Sequence, residues 1–254
     1  MNNLKIIKAL LLEPFIYDDE RFSDLYIALR LREGRLFDSR EIAELPSVPR
    51  SHAYYKEWKV RRHSCNRLLH YIKSHGHACN ILDIGCGNGW LSAKLSQVAC
   101  ESVTGLDINN VEIEQARKVF RKIQTLKFIP GDIRSGILRD KKFDVIVFAA
   151  SIQYFQSLQE IVEIALDHLT LQGEIHILDS HLYRANEVEP AQLRSLKYFT
   201  EIGFREMADL YFHHTLDELK AFSFSVLHNP ASWRNRLMPN SNPFHWIVIK
   251  NTKP

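Results

Sequence analysis

The chain has little cysteine and no cysteine pattern. Cys65, Cys79, Cys86 and Cys100 are the only four in 254 residues, and no two share CxxC spacing. They suggest neither a metal site nor a disulfide framework, and a reduced, cytoplasmic setting fits them. Long apolar runs are also missing. No stretch approaches the roughly 20 apolar residues that span a bilayer, so no membrane partner is expected. The N-terminal run MNNLKIIKALLLEPF is short, is broken by Glu13 and Pro14, and precedes no small-residue cleavage site. There is no strong charge bias. A net charge of +3 and a pI of 8.6 do not by themselves imply nucleic acid or membrane. Internal repeats and low-complexity tracts are absent. What is present is 45% hydrophobic, enough for one large domain with an extension.

The most informative stretch is NILDIGCGNGWL, Asn80 to Leu91. A short apolar run ends in an acid, then Gly85, Gly87 and Gly89 fall at every second position before a periodic apolar segment. This reads as a buried strand, a tight turn and a helix start, where backbone can approach a nucleotide-like ligand. Asp83 is placed to shape the turn or to act through water on a ligand amine. An acid is expected at the next strand end to bind ribose hydroxyls, and Asp107 stands there, followed by Ile108 to pack on a base. A dinucleotide fingerprint, GxGxxG, needs its third glycine at position 90, which is Trp90. A Walker A loop is absent, since no GK[ST] follows.

Residues 1–50 read as a helical extension, with Leu4, Ile7 and Leu11 at helical spacing and a second helix over Asp24–Leu31. A loop at Leu45–Pro49 marks the boundary of a domain running from 51 to 254. Residues 50–73 hold seven Lys or Arg against one acid, Glu57, with Tyr54, Tyr55 and Trp58 interleaved. This is either a solvated helix face or a wall of the active site, with Arg62 reaching a ligand carboxylate and Tyr54 or Tyr55 near an acceptor. From residue 80, strands at 81–84, 103–108, 127–130, 143–149 and 174–179 alternate with helices at 90–98, 111–123 and 158–169. That order predicts a doubly wound α/β fold with a parallel sheet, its ligand at the strand carboxyl ends. Residues 181–214 interrupt the alternation and read as a helical and aromatic lid, with a helix over 190–202. A helix over 215–222 and strands at 224–227 and 244–249 follow, the strands joined by a long loop holding Pro230, Trp233 and Pro239.

ILDIGCGNG resembles the E/DxGxGxG signature of class I S-adenosylmethionine (SAM)-dependent methyltransferases. VTGLDI, FIPGDI, FDVIVFAASIQYF and LQGEIHILDS are similar to the family's later segments in order. The resemblance implies SAM as cofactor, a seven-stranded, mostly parallel sheet with an antiparallel last strand, and an adenine contact from Asp132 with Ile133 beside the ring. Asp83, Gly85, Cys86, Gly87, Gly89, Asp107, Ile108 and Ala149 complete the implied cofactor site. The exit of the fourth strand faces the methyl group in this family. Here it lacks the [D/N/S]PP[Y/F] motif of nucleic-acid amino-methylating enzymes, the Pro-Cys of cytosine C5 enzymes and the acid of metal-dependent catechol-type members, so no catalytic metal is expected.

A small-molecule acceptor methylated on O or N is the leading expectation, with Ser151, Gln153 and Tyr211 as acceptor contacts. Tyr154, His181, His213 and His214 are the candidate catalytic groups. Each histidine is either a general base or a structural residue, and His181 directly follows the fifth strand. An RNA or protein methyltransferase using the basic helix, or a non-catalytic SAM-binding module, are the alternatives. Oligomeric state carries no signal in the sequence.

Overall fold

A computed structural model describes residues 19–98, 100–233, 235 and 242–251. The expected helix on Leu4, Ile7 and Leu11 and the Pro239 part of the last loop lie outside the described residues. Seven strands form one sheet: β1 (Cys79–Ile84), β2 (Cys100–Asp107), β3 (Leu126–Pro130), β4 (Phe143–Ala149), β5 (Leu169–Leu178), β6 (Phe224–His228) and β7 (Trp246–Lys250). Their order is β3-β2-β1-β4-β5-β7-β6. The first five pair in parallel, and β7 lies antiparallel between β5 and β6. Chain order reverses between β1 and β4, the position where such sheets open a crevice at the strand carboxyl ends.

The helices are α1 (Asp19–Arg32), α2 (Ser39–Glu44), α3 (Tyr55–Lys73), α4 (Trp90–Leu95), α5 (Asn110–Val119), α6 (Leu158–Asp167) and α7 (Ala185–Glu201). One core packs α3, α4 and α5 on the β1–β2–β4 side, with Trp58, Leu68, Leu95, Ile113 and Val147 at its centre. Phe37, Ile42 and Leu45 are buried in the same core, so residues 37–45 belong to its packing. The opposite face carries α6 against Leu82, Ile146, Phe148 and Ile177. With both faces covered, the central strands are apolar throughout rather than alternating.

Four local readings change. Helix α2 was not expected; Asp38 caps it, accepting from the Arg40 and Glu41 amides at 2.8 Å while Glu41 returns a bond to the Asp38 amide. Helix α7 begins five residues before Pro190, because the Glu187 carboxylate accepts from the Arg184 amide at 2.9 Å and starts the helix there. Strand β5 begins at Leu169, earlier than its apolar run, because Leu169 already pairs with Phe143. The expected helix over 215–222 is a single 3-10 turn, Leu216–Leu219. Glu218 caps it by accepting from the Thr215 amide at 2.6 Å, and β6 follows too soon for a second turn.

A third cluster sits above the sheet. Phe22 and Leu29 of α1 bury against Phe199 and Met207 of the insertion, with Tyr26, Ile108, Tyr154 and Tyr211 around them. Helix α1 and the insertion therefore form one joint cover, about 180 residues apart in sequence, over the carboxyl ends of β1, β2 and β4.

Candidate functional site

Two cavities meet under that cover. The first is lined by Phe22 and Tyr26 of α1, by Asp107, Ile108, Asp132 and Ile133 at the ends of β2 and β3, and by Ser151 and Tyr154. The second runs past Asp83, Gly85, Cys86, Gly87 and Ala149 to Glu57, Trp58 and Arg61 on α3. Tyr26, Gly85 and Ala150 line both. Ala150 holds φ of 57°, a left-handed conformation costly for a residue with a Cβ, at the junction of the two.

The glycine turn is left-handed at all three positions, with φ of 71° at Gly85, 52° at Gly87 and 76° at Gly89. The need for glycine comes as much from the protein as from a ligand. A Cβ on Gly85 would stand 2.5 Å from the Ser151 Cβ, and one on Gly89 would stand 2.5 Å from the Phe128 ring. Gly85 and Cys86 donate their amides to the Leu106 carbonyl, tying the turn to β2.

Asp83 is buried and accepts from the Ser92 hydroxyl at 2.6 Å. Burial pushes its carboxyl up to about 7. Asp107 accepts from the Gly87 and Asn109 amides, both at 2.8 Å, which fixes the turn against the end of β2. Glu112, one turn into α5, is buried beside it. Burial first, then the Asp107 charge, pushes Glu112 up to about 8, and burial also raises Asp107. The Cys86 thiol is held well above its ordinary value by burial, so it is not poised as a nucleophile. Asp132 is paired with Arg134, whose Nε and Nη2 donate to its two oxygens at 2.8 and 2.6 Å.

Both Glu112 and Asp83 hold protons in the folded state that the unfolded chain would release. The stability this gives is complete below the ordinary values of 3.8 and 4.5 and is lost as pH rises to about 7 for Asp83 and about 8 for Glu112. Glu112→Gln is expected to flatten the fall in ligand-free stability between pH 7 and 9, an interval in which Asp83, already half titrated at pH 7, contributes the smaller part. Urea midpoints at the two pH values check this; a fall equal to that of the parent chain would refute it.

The basic helix supplies the far wall through Glu57, Trp58 and Arg61. Glu57 receives both Arg35, through Nη1 at 3.0 Å and Nη2 at 2.7 Å, and Arg61 at 3.0 Å. Those two arginines hold its carboxyl down at about 2, against the opposing effect of burial. Arg61 lines the second cavity; Arg62 lines neither. Trp58, Cys65, Leu68 and Ile72 define the buried stripe of α3, on which Arg61 lies, and one further residue turns about 100° away. Tyr54 donates its hydroxyl to the Glu33 carbonyl and lies under the Arg35 guanidinium, 3.8 Å from ring centre, while Tyr55 lines neither cavity.

Of the four candidate catalytic groups, Tyr154 faces the first cavity and accepts from Arg30 Nη2 at 3.2 Å. The histidines do not reach either cavity. His181 opens on a separate groove, 4.7 Å from the Phe244 ring, where partial burial and then Arg194 lower its pKa. His213 meets the Ser195 hydroxyl at 2.9 Å within the insertion. His214 is buried with Nε2 at the Ile152 and Phe155 carbonyls and Nδ1 at Glu218, which staples the insertion to the β4 exit loop. Gln153 bridges the Ala150 carbonyl and the Ser180 hydroxyl, and the Phe212 amide bonds its backbone carbonyl. Tyr211 packs edge-on against Tyr154 behind the cavity wall. Ser151 donates to the Ile84 carbonyl at 2.7 Å and fills the space that Gly85 leaves.

The residues not foreseen are Phe22, Tyr26, Arg30, Arg35, Arg61 and Glu112. Among the described residues, four buried side-chain nitrogen or oxygen atoms lack a hydrogen-bond partner. Three of them, Arg35 Nε, Trp58 Nε1 and Glu112 Oε2, belong to residues lining the second cavity. Arg35 Nε still lies 3.4 Å from Glu33 Oε2 as an ion pair, whereas Trp58 Nε1 and Glu112 Oε2, left without a hydrogen bond at one wall, mark a surface built for a polar ligand, because each costs about 1–3 kcal/mol while unsatisfied.

The profile of a family described as a methyltransferase domain matches residues 75–218, more than half of the chain. Malonyl-[acyl-carrier protein] O-methyltransferase 2 of Ilyobacter polytropus is 31% identical over 43% of this chain and 41% of its own length. The release factor glutamine methyltransferase of Fusobacterium nucleatum is 41% identical over 27% of this chain and 20% of its own. The chain thus spans less than half the length of these curated relatives. Among solved structures, YcgJ of Bacillus subtilis aligns with a TM-score of 0.59 at 17% identity, over 76% of this chain and all of that one. The plantazolicin methyltransferase BpumL, solved with a triazolic desmethylPZN analog and SAH, aligns at 0.55 and 22% identity over 92% of this chain and 99% of its own. The chain belongs to the methyltransferase-domain family and has its class I, Rossmann-like fold.

Proposed function

We propose that this protein is a SAM-dependent methyltransferase that transfers a methyl group to an oxygen or nitrogen of a small-molecule acceptor without a catalytic metal. The observation that carries the reading is the pair of cavities joined at Gly85 and Ala150 and roofed jointly by α1 and the insertion. The residues fit SAM. Arg35 Nε, Trp58 Nε1 and Arg61 match the methionine carboxylate, and Asp107 and Glu112 match the ribose hydroxyls. Ile108 and Ile133 flank a base near Asp132. Bound there, SAM would supply a methyl group already activated on a sulfonium. The protein's task is then to align the acceptor and exclude water.

Tyr154, held by Arg30, orients the acceptor at the β4 exit, and Phe22, Tyr26 and Met207 keep the roof apolar. Tyr154→Phe is expected to lower turnover roughly 10- to 100-fold while SAH affinity stays within about threefold, read by initial rates and calorimetric titration. Equal turnover would remove Tyr154 from this role. The inward engagement of the basic helix, Arg61 on Glu57 and Arg67 over the Trp246 ring, supports a small acceptor over a nucleic acid. Purified protein incubated with methyl-labelled SAM should label small products in a metabolite extract. Label appearing only in RNA or protein fractions, or tight SAM binding with no turnover, would sink the reading.

A further inference from the structure

At the opposite end of β1 from the glycine turn, His75-Gly76-His77-Ala78-Cys79 joins α3 to the sheet. One ligand atom from each of His75, His77 and Cys79 lies within 4.8 Å of the other two. The two rings are stacked 5.9 Å apart at 21°. Each histidine has one nitrogen already engaged. His75 Nε2 stands 3.1 Å from Glu174 Oε1, and His77 Nδ1 stands 3.0 Å from the His75 carbonyl. Donation to a carboxylate or a backbone carbonyl sets the tautomer and leaves the other nitrogen's lone pair for a metal, the outer-shell arrangement usual around metal-bound histidine. Cys79 Sγ points toward the His77 carbonyl at 3.7 Å, on the inner side of the same loop. Gly76 has φ of 73°, and no atom lies within 4 Å of where a Cβ would stand. That left-handed turn of the backbone brings the two imidazoles to one side.

We propose that His75, His77 and Cys79 form a zinc site. Two imidazoles and a thiolate suit a borderline-soft divalent ion and not magnesium or calcium. Zn–N near 2.0 Å and Zn–S near 2.3 Å place the tetrahedral ligand atoms about 3.3–3.5 Å apart, so the three side chains close by about 1 Å around the ion. Half-buried His75 and exposed His77 have the χ freedom to do so. The Cys79 thiol proton passes to solvent as the Zn–S bond forms, and water completes the fourth position on the exposed His77 side. The site lies roughly 20 Å along β1 from Gly85, too far to act on a group held there. It pins the α3–β1 loop and, through Glu174, the start of β5's buried run. Cysteine spacing alone does not disclose it, because two of the three ligands are histidines.

Cobalt titration of the reduced, metal-free protein tests the site. The expected result is one saturable equivalent with a thiolate-to-cobalt charge-transfer absorption that zinc displaces. His77→Ala, an exposed change, should weaken cobalt binding at least tenfold and leave the metal-free urea midpoint unchanged, and Cys79→Ser should abolish the thiolate band. Zinc should raise the thermal midpoint of the parent chain and not of His77→Ala. Absence of a saturable band, a band that survives Cys79→Ser, or unchanged affinity in His77→Ala would overturn the proposal. None of these readouts depends on methyl transfer.

Discussion

Gly89→Ala is expected to destabilise the fold by about 2–5 kcal/mol. Two costs add. The residue holds φ of 76°, a conformation worth roughly 1–2 kcal/mol against any side chain. The new methyl would also stand 2.5 Å from Phe128 Cε1 and Cζ and 2.8 Å from Ala116 Cβ. Both neighbours are buried between α5 and β3 and have no room to retreat, so overpacking adds about 1–3 kcal/mol. Gly136→Ala separates the two costs, because Gly136 has φ of 75° and nothing within 4 Å of its Cβ position. It should lose only the backbone part. Urea unfolding of both variants measures this, and a Gly89→Ala loss no larger than that of Gly136→Ala would refute the packing argument.

Asp107→Ala is expected to weaken SAH binding about 100-fold, equivalent to about 2.7 kcal/mol. Its carboxylate takes the Gly87 amide on one oxygen and the Asn109 amide on the other, so one side chain positions both the glycine turn and the start of α5. Removing it frees both amides and removes the proposed ribose acceptor at once. The lost bonds are charge-assisted, the kind worth about 1.5–3 kcal/mol each. Calorimetric titration with SAH reads the affinity, and circular dichroism shows whether the fold persists. A loss below tenfold in a folded variant would show that the turn is held without Asp107.

The two predictions bear on how the site is encoded. The glycine turn was legible because positive φ leaves few residue choices, and the acid at 107 because strand, turn and helix recur at a fixed spacing. The reason assigned to the glycines was incomplete. Space for a ligand is one requirement, but Ser151 and Phe128 occupy the positions where Cβ atoms would otherwise stand. Those neighbours are 66 and 39 residues away, and no local pattern names them. On the basic helix, Arg61 and not the expected Arg62 lines the second cavity, a matter of helix phase set by how Trp58 and Leu68 are buried in the core. The histidines stood out as chemistry, yet His214 is committed on both ring nitrogens and His181 opens on another groove.

Apart from the inserted antiparallel strand, which the family resemblance implied, the sequence by itself determined the alternation of strands and helices from residue 80, the parallel sheet, the left-handed turn and the acid that faces it. Periodicity and dihedral preference act over a few residues, so those features are written locally. Tertiary structure decided the roof and the polar wall. Phe22 meets Met207 and Arg35 meets Glu57 only because the chain closes long loops to bury apolar surface, and that gain depends on the whole packed core.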